Sequence, residues 1–225
     1  MNRLTFVLFL IGIIAIGGGT AWYLVDTRNE AFGPPTVATS TPQIEEGVAI
    51  YSNGPYGFTI FYPEDAEVSY TFDADYHLGT SWRANALPDA DGTPIVSIAP
   101  YRTESTDSYP RYFNAMVRIG ASIDATELAR CEVAAAEQGE TALPDMVIGS
   151  TTWKVFAFES AGMMQYAKGV SYRTLHEGRC IALEKVRTGS SYREDAPSEK
   201  DIPEEMLSGE YEALASIIES FSFAR

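Results

Sequence analysis

The chain has 225 residues, of which 31 are acidic and 16 are basic, so its formal net charge at pH 7 is −15. This balance argues against a nucleic-acid-binding protein, because phosphates need lysine and arginine for neutralisation. It also argues against docking of the folded part on an anionic lipid surface. Hydrophobic residues make up 45% of the chain, which is typical of a globular protein, and the length fits one domain with appendages.

The N-terminal part contains a long apolar run. Residues 4–25 carry no charged side chain. At about 1.5 Å per residue, a helix of this length spans the hydrocarbon core of a bilayer, which is about 30 Å thick. Arg3 precedes the run, and Trp22 and Tyr23 lie near its far end. The pattern predicts a transmembrane anchor at residues 1–25, with the N-terminus inside and the following domain outside.

A cleaved signal peptide is the alternative for this segment. Gly19, Thr20 and Ala21 form a small-residue cleavage site, but the apolar run continues beyond them, which favours an uncleaved anchor. Both alternatives export the rest of the chain. We therefore expect a single-pass protein of the cell membrane, or a secreted protein if the segment is cleaved.

The next segment, residues 26–47, is poor in apolar side chains and contains three prolines and five serine or threonine residues. Such a segment buries too little surface to offset the entropy lost on ordering. We therefore predict a flexible linker here, followed by a folded domain over residues 48–225.

Alternation of apolar and polar residues predicts strands through most of the folded domain. The opening strand, residues 56–62, is rich in aromatic side chains and ends before Pro63, which cannot donate a ladder hydrogen bond. A loop is predicted around Pro144, and a short hairpin turn with Gly178 as its turn residue joins the last two strands. The further predicted strands are residues 67–72, 78–85, 94–101, 111–120, 150–158, 164–175 and 179–187. For residues 111–120 a helix through Tyr112, Met116 and Ile119 is the alternative.

Two helices complete the prediction. Asp124 is a candidate N-cap with Glu127 as its reciprocal partner, and the helix would end at Gly139. Near the C-terminus, apolar residues spaced three and four apart predict a helix that contacts the core: Leu207, Tyr211, Leu214, Ile218 and Phe221. The fold class is therefore α+β, an antiparallel-rich β-sheet flanked by helices on both faces.

The chain has two cysteines, Cys131 and Cys180. They are too far apart in sequence for a CxxC redox motif or a zinc ribbon. In an oxidising compartment such a pair forms a disulfide in most cases. The alternative is two buried free thiols, since cysteine is a good small hydrophobic residue.

Few residues suggest catalysis or metal binding. The two histidines, His77 and His176, exclude an HExxH site and multi-histidine zinc sites. Asp89 and Asp91 precede Gly92 as in part of a calcium loop, but the further acids and the distal glutamate are missing, so a turn is the expected structure. Phosphate-binding loops and nucleophile elbows are also missing. We predict no catalytic residue, metal or cofactor.

The opening strand and the closing helix resemble the PsbP-type α/β/α sandwich. The strand has the motif YGFxIxYP at residues 56–63, and the helix has LxxIxxSFxF at residues 214–223. The middle segments VRIGASIDATELARC and SYRTLHEGRCIALE resemble an uncharacterised family of single-pass, membrane-anchored exported bacterial proteins. The resemblance implies that Cys131 and Cys180 pair, and that the role is accessory or binding rather than catalytic.

These observations leave three hypotheses for function. The first is a membrane-anchored extracytoplasmic domain without catalytic activity that binds a protein or envelope partner. The second is an exported hydrolase with a dispersed site near His176, which needs a serine, cysteine or aspartate partner for the imidazole. The third is an extracytoplasmic sensor domain, which the three residues before the apolar run disfavour.

Overall fold

The computed structural model describes residues 47–75, 77–87, 89, 91–103, 113–190 and 204–224. The predicted membrane anchor and nearly all of the predicted linker lie outside these ranges. Within them, no helix has both the length and the apolarity needed to cross a bilayer. The strands in chain order are β1 Val48–Asn53, β2 Phe58–Pro63, β3 Glu67–Ser69, β4 Thr93–Thr103, β5 Phe113–Ser122, β6 Glu140–Ile148, β7 Thr151–Gly162, β8 Gln165–His176, β9 Arg179–Ser190 and β10 Ser222–Phe223. The helices are α1 Ala125–Arg130 and α2 Glu204–Glu219.

The strands form two sheets. Seven of them pair in the order β3-β4-β5-β9-β8-β7-β6, with every neighbouring pair antiparallel. The predicted hairpin between β8 and β9 is confirmed, with Glu177 and Gly178 as its two turn residues, both at positive φ. The predicted antiparallel-rich sheet is thus the main element of the fold.

The opening strand belongs to the second, smaller sheet, in the order β1-β2-β10. Phe58 and Ile60 on β2 are fully buried, as expected from its apolar pattern. The C-terminal segment closes on this strand: Ser222 pairs with Thr59, and the hydroxyl oxygen of Ser220 lies 2.9 Å from the Phe61 nitrogen. The second and the last strands of the domain are therefore hydrogen-bonded to each other, and β1, which the sequence analysis did not predict, pairs with the other edge of β2.

Helix α2 covers one face of the large sheet and contacts β5 and β9. Leu214, Ile218 and Phe221 of the predicted apolar stripe are buried, and Ile217 is buried with them. They contact the aliphatic side chains of β5 and β9 in the largest core cluster. The predicted C-terminal helix is confirmed, as is the burial of Leu214, Ile218 and Phe221; Tyr211 is half-buried, and the side chain of Leu207 lies outside the described part of the chain.

Helix α1 is shorter than predicted. Its N-cap is Asp124, whose carboxylate accepts from the backbone nitrogens of Thr126 and Glu127 at 2.8 and 3.1 Å. The prediction that the Glu127 side chain accepts from the Asp124 nitrogen is wrong. That nitrogen donates to the Ser122 hydroxyl instead, at 3.0 Å. The helix ends at Arg130, and residues 136–138 form a separate 3-10 turn before Gly139.

The predicted strand over residues 78–85 is wrong. The described residues between β3 and β4 form a coil with one isolated bridge, between Asp75 and Leu78. Leu78 and Trp82 are buried, and their apolar character produced the strand-like pattern. The coil lies so close to the sheet that a β-carbon on Gly120 would stand 1.9 Å from the Trp82 carbonyl oxygen, so only glycine fits there.

Because of this coil, the sheet does not have the predicted helices on both faces. The seven-stranded sheet has a long helix, α2, on one face, but the opposite face carries the coil and the six-residue α1. Helices therefore flank the sheet sparsely.

The loop predicted around Pro144 is also wrong: β6 runs through Pro144 as an edge strand with a bulge between Leu143 and Met146. Proline is tolerated there because one side of an edge strand has no ladder partner.

Candidate functional site

The predicted disulfide is present. Cys131 follows the last residue of α1, and Cys180 is the second residue of β9. Their sulfur atoms are bonded, and both residues are buried beside Trp82. The bond attaches the short helix to the centre of the sheet, so the cysteines have a structural role.

The structure places His176 at the end of β8, where its ring stacks on Phe223 with 3.6 Å between the ring centroids. No hydroxyl, thiol or carboxylate in the described part of the chain is shown hydrogen-bonded to this imidazole. A hydrolytic role would need such a partner. The hydrolase hypothesis therefore stays a prediction without geometric support.

His77 and the two aspartates of the calcium-like segment lie on the coil before β4. His77 is exposed, and its Nε2 atom lies 3.0 Å from the Gly162 carbonyl oxygen. Asp89 lies in a turn, and the carbonyl of Asp91 accepts a hydrogen bond from the Ser122 hydroxyl of β5. Within the described ranges, no three His, Cys, Asp or Glu side chains converge to hold a metal ion.

Charged side chains that the sequence analysis did not single out meet beneath the coil. Three arginines and three glutamates, each with at most 5% of its surface exposed, form what we call the buried charge layer: Arg83, Arg118, Arg173, Glu127, Glu140 and Glu184. Full burial of so many charges is rare and requires pairing. For Arg118 the sequence offered a signal, because it is the single charged residue of β5. Strands β8 and β9 carry further charged residues, so Arg173 and Glu184 had no such signal.

The layer links the coil, α1 and the sheet. Arg83 Nε lies 2.8 Å from Glu127 Oε2, and Arg83 Nη1 lies 3.6 Å from Glu140 Oε1. Glu184 accepts from the Ala84 nitrogen at 3.0 Å. These contacts join the coil to helix α1 and to strands β6 and β9, so the layer holds the coil against the sheet.

Two arginines of the buried charge layer, Arg118 and Arg173, belong to strands of the large sheet. Arg118 donates to the Gly79 and Ser81 carbonyls and lies 3.5 Å from Glu184. Burial lowers the pKa of Arg118, and the charge of Glu184 opposes that effect. Burial likewise lowers the pKa of Arg173, opposed chiefly by Glu140. The six charges cancel and are closed to solvent, so the layer is part of the scaffold rather than an accessible site.

An accessible concave site lies on the other face of the sheet, beside α2. This groove has a volume of about 420 Å³. Strands β6 to β9 form its floor and Tyr211 of α2 is among its lining residues. We call it the α2 groove, and its side chains with polar groups are Thr141, Glu159, Lys168, Arg187 and Tyr211.

Basic side chains stand opposite one another at the floor of the α2 groove. In the β8–β9 register Lys168 lies directly opposite Arg187, and in the β7–β8 register it lies opposite Glu159. Like charges directly opposed on neighbouring strands are destabilising. This pairing is therefore unusual in a chain with twice as many acids as bases, and it gives the floor two cations beside one carboxylate.

Tyr211 holds basic groups close to the groove. Its hydroxyl donates to the Lys185 carbonyl at 3.2 Å, and its ring lies 4.3 Å from Lys185 Nζ and 5.3 Å from Arg187 Cζ. Burial raises the pKa of Tyr211 above its usual range, so the phenol stays neutral. The arrangement can bind an anionic group through the cations and an apolar group through the aromatic ring.

The β8–β9 register offered a signal for this site in the sequence. A two-residue turn at Glu177 and Gly178 fixes every cross-strand pair in the hairpin, including Lys168 with Arg187. The position of Tyr211 over the same strands depends on how α2 is placed on the sheet, which local sequence does not determine.

Comparisons with known proteins give only distant structural similarity. No protein-family model matches the chain, and no curated protein matches it. The solution structure of the cyanobacterial PsbP protein CyanoP from Synechocystis sp. PCC 6803 is similar over 79% of this chain and 92% of that chain, with 8% sequence identity and a TM-score of 0.32. Similarity at this level is limited to a distantly PsbP-like fold, and we draw no functional conclusion from it.

Proposed function

We propose that the chain is a membrane-anchored extracytoplasmic domain without catalytic activity, which binds an anionic group of a protein or envelope partner in the α2 groove. The proposal includes the transmembrane anchor at residues 1–25, the linker, and membership of the PsbP-like, single-pass exported bacterial proteins that the sequence resembles. The disulfide between Cys131 and Cys180 supports export, because such bonds persist in oxidising compartments.

The observation that carries the binding proposal is the direct opposition of Lys168 and Arg187 at the floor of an open groove. The open groove thus presents two cations and one carboxylate on neighbouring strands. A carboxylate or phosphate ester placed between them would gain charge-assisted hydrogen bonds. Glu159 beside Lys168 would disfavour a ligand that presents several negative charges, so we expect one anionic group to enter the groove.

Site-specific photo-crosslinking in native membranes tests the proposal. A photoreactive residue is placed in the full chain at Thr141, which lines the groove, or at Thr126, an exposed residue of α1 that serves as the matched control. We expect a discrete adduct from position 141 and none from position 126. Lys168→Glu should remove the adduct, whereas Lys168→Arg should retain it. Equal adducts at both positions, or an adduct that survives Lys168→Glu, would contradict the proposal.

A further inference from the structure

The hairpin between β7 and β8 ends in a turn of unusual composition. Gly162 pairs with Gln165, so Met163 and Met164 are the two turn residues, with φ values of 50° and 64°. Two-residue turns with both φ angles positive are dominated by asparagine, aspartate and glycine, because other side chains are strained there. Methionine has no polar group to relieve this strain, so the turn is not optimised for folding.

Both methionines are also exposed. Met163 is 96% exposed and Met164 is 45% exposed, whereas Met116 is buried in the core. Their thioether groups therefore contribute little to the core of the described structure. Strain in exposed residues that lie outside the buried core clusters favours a function for the side chains themselves.

A histidine lies at the same turn. The His77 Nε2 atom is 3.0 Å from the Gly162 carbonyl oxygen, one residue before the methionines. A β-carbon on Gly162 would stand only 3.3 Å from the His77 ring, so the ring lies close against the strand end. Because a carbonyl can only accept, Nε2 donates this hydrogen bond, and Nδ1 is the ring nitrogen left for a metal ion.

We propose that the β7–β8 turn binds a soft monovalent metal ion, Cu(I) or Ag(I), through Met163, Met164 and His77. Thioethers are soft ligands that select Cu(I) over harder ions, and imidazole also suits copper. A metal-binding imidazole usually donates its other N–H to a backbone carbonyl or carboxylate, which is the bond that His77 makes with Gly162. Thioethers bind without losing a proton, so the turn needs no carboxylate or thiolate.

Silver titration of the full chain in detergent tests the proposal, with silver nitrate in chloride-free buffer as the redox-inert probe. The chain has six methionines, and ¹³C labelling of their methyl groups reports on each one. We expect the Met163 and Met164 signals to shift together and to saturate at one Ag(I) per chain, while the Met116 and Met146 signals stay in place. The proposal fails if no shift saturates, or if all methionine signals move equally.

Variants separate the metal site from the fold. Met163→Leu with Met164→Leu should weaken Ag(I) binding at least about a hundredfold, and His77→Gln should weaken it about tenfold or more. Met146→Leu is the matched control and should bind as the parent chain does. Met163→Asn with Met164→Gly should unfold at a higher urea concentration and still lose the metal, because it relaxes the turn. Unchanged binding in the double leucine variant or in His77→Gln would overturn the assignment.

Discussion

The carboxylate of Glu140 lies 2.6 Å from the Nη2 atom of Arg173, although the two residues belong to strands that are not neighbours. Glu140 begins the edge strand β6, Arg173 lies within β8, and β7 runs between them. The guanidinium crosses that strand over Phe156, with 3.7 Å from Arg173 Cζ to the ring centroid. This ion pair therefore links the edge strand β6 to β8 across the face of β7.

Replacing Glu140 by glutamine should strongly destabilise the fold. The Arg173 Nε and Nη1 atoms have no hydrogen-bond partner among the described residues, so loss of the carboxylate leaves a buried cation poorly compensated. We expect the free energy of unfolding to fall by about 3–5 kcal/mol, measured by urea unfolding of the full chain in detergent. Glu137→Gln is the matched control, because its pair with Arg130 is on the surface and solvent screens it. Equal effects of the two variants would contradict this role for Glu140.

Removal of the disulfide should also destabilise the domain. Cys131 and Cys180 are 49 residues apart in sequence, and the cross-link limits the entropy of the unfolded chain. Replacing both by alanine should lower the free energy of unfolding by about 4 kcal/mol on the chain-entropy estimate. The measurement is the urea midpoint with and without a reducing agent. The parent chain should shift on reduction, whereas the alanine variant should not, and an unshifted parent would argue against a stabilising disulfide.

Two glycines should respond in opposite ways to the same substitution. Gly120→Ala would place its β-carbon 1.9 Å from the Trp82 carbonyl oxygen and push the coil off the sheet, so we expect a loss of several kcal/mol, about 3 or more. Gly209→Ala lies in α2 with no atom within 4 Å of the new carbon, and it should gain up to about 1 kcal/mol from helix propensity. Thermal unfolding of both variants checks the contrast; equal shifts would show that the close approach at Gly120 is unimportant.

Alkaline pH should destabilise the domain partly through Tyr211. Burial, the largest effect, raises the pKa of this phenol in the folded state. Above about pH 10, the usual pKa of tyrosine, the unfolded chain loses the proton while the folded chain keeps it. Stability that is fully present below pH 10 is therefore lost as the pH rises. Urea midpoints at pH 9 and pH 11 should show a smaller drop for Tyr211→Phe than for the parent; an equal drop would exclude this contribution.

Local signals predicted the elements that local interactions determine. The apolar stripe through Leu214 and Ile218 needs only helical periodicity, and the turn at Glu177 and Gly178 needs only a glycine between two strands. The two-residue strand β10 exists because β2 offers it a partner 163 residues earlier, since Ser222 pairs with Thr59. No local pattern could identify it.

The largest error in the predicted secondary structure, the strand over residues 78–85, arose because tertiary contacts override the local pattern. Residues 78–85 alternate in a way that suits a strand, but Arg83 enters the buried charge layer and Trp82 enters the core. Glu127 would cap its own helix in isolation, yet Arg83 binds it 2.8 Å away. Such pairings depend on which segments meet in three dimensions. The cations of the α2 groove are an intermediate case, because one correctly placed hairpin turn sets Lys168 against Arg187.

The pairing of β10 with β2 also has a consequence for the order of assembly. Because synthesis runs from the N-terminus, β2 is made early, but Ser220 and Ser222, which hydrogen-bond to that strand, are made only after all strands of the seven-stranded sheet. We expect the small sheet to close last. Until then the C-terminal segment does not cover Phe58 and Ile60, so a chain whose synthesis pauses near residue 220 should be a long-lived, protease-sensitive intermediate.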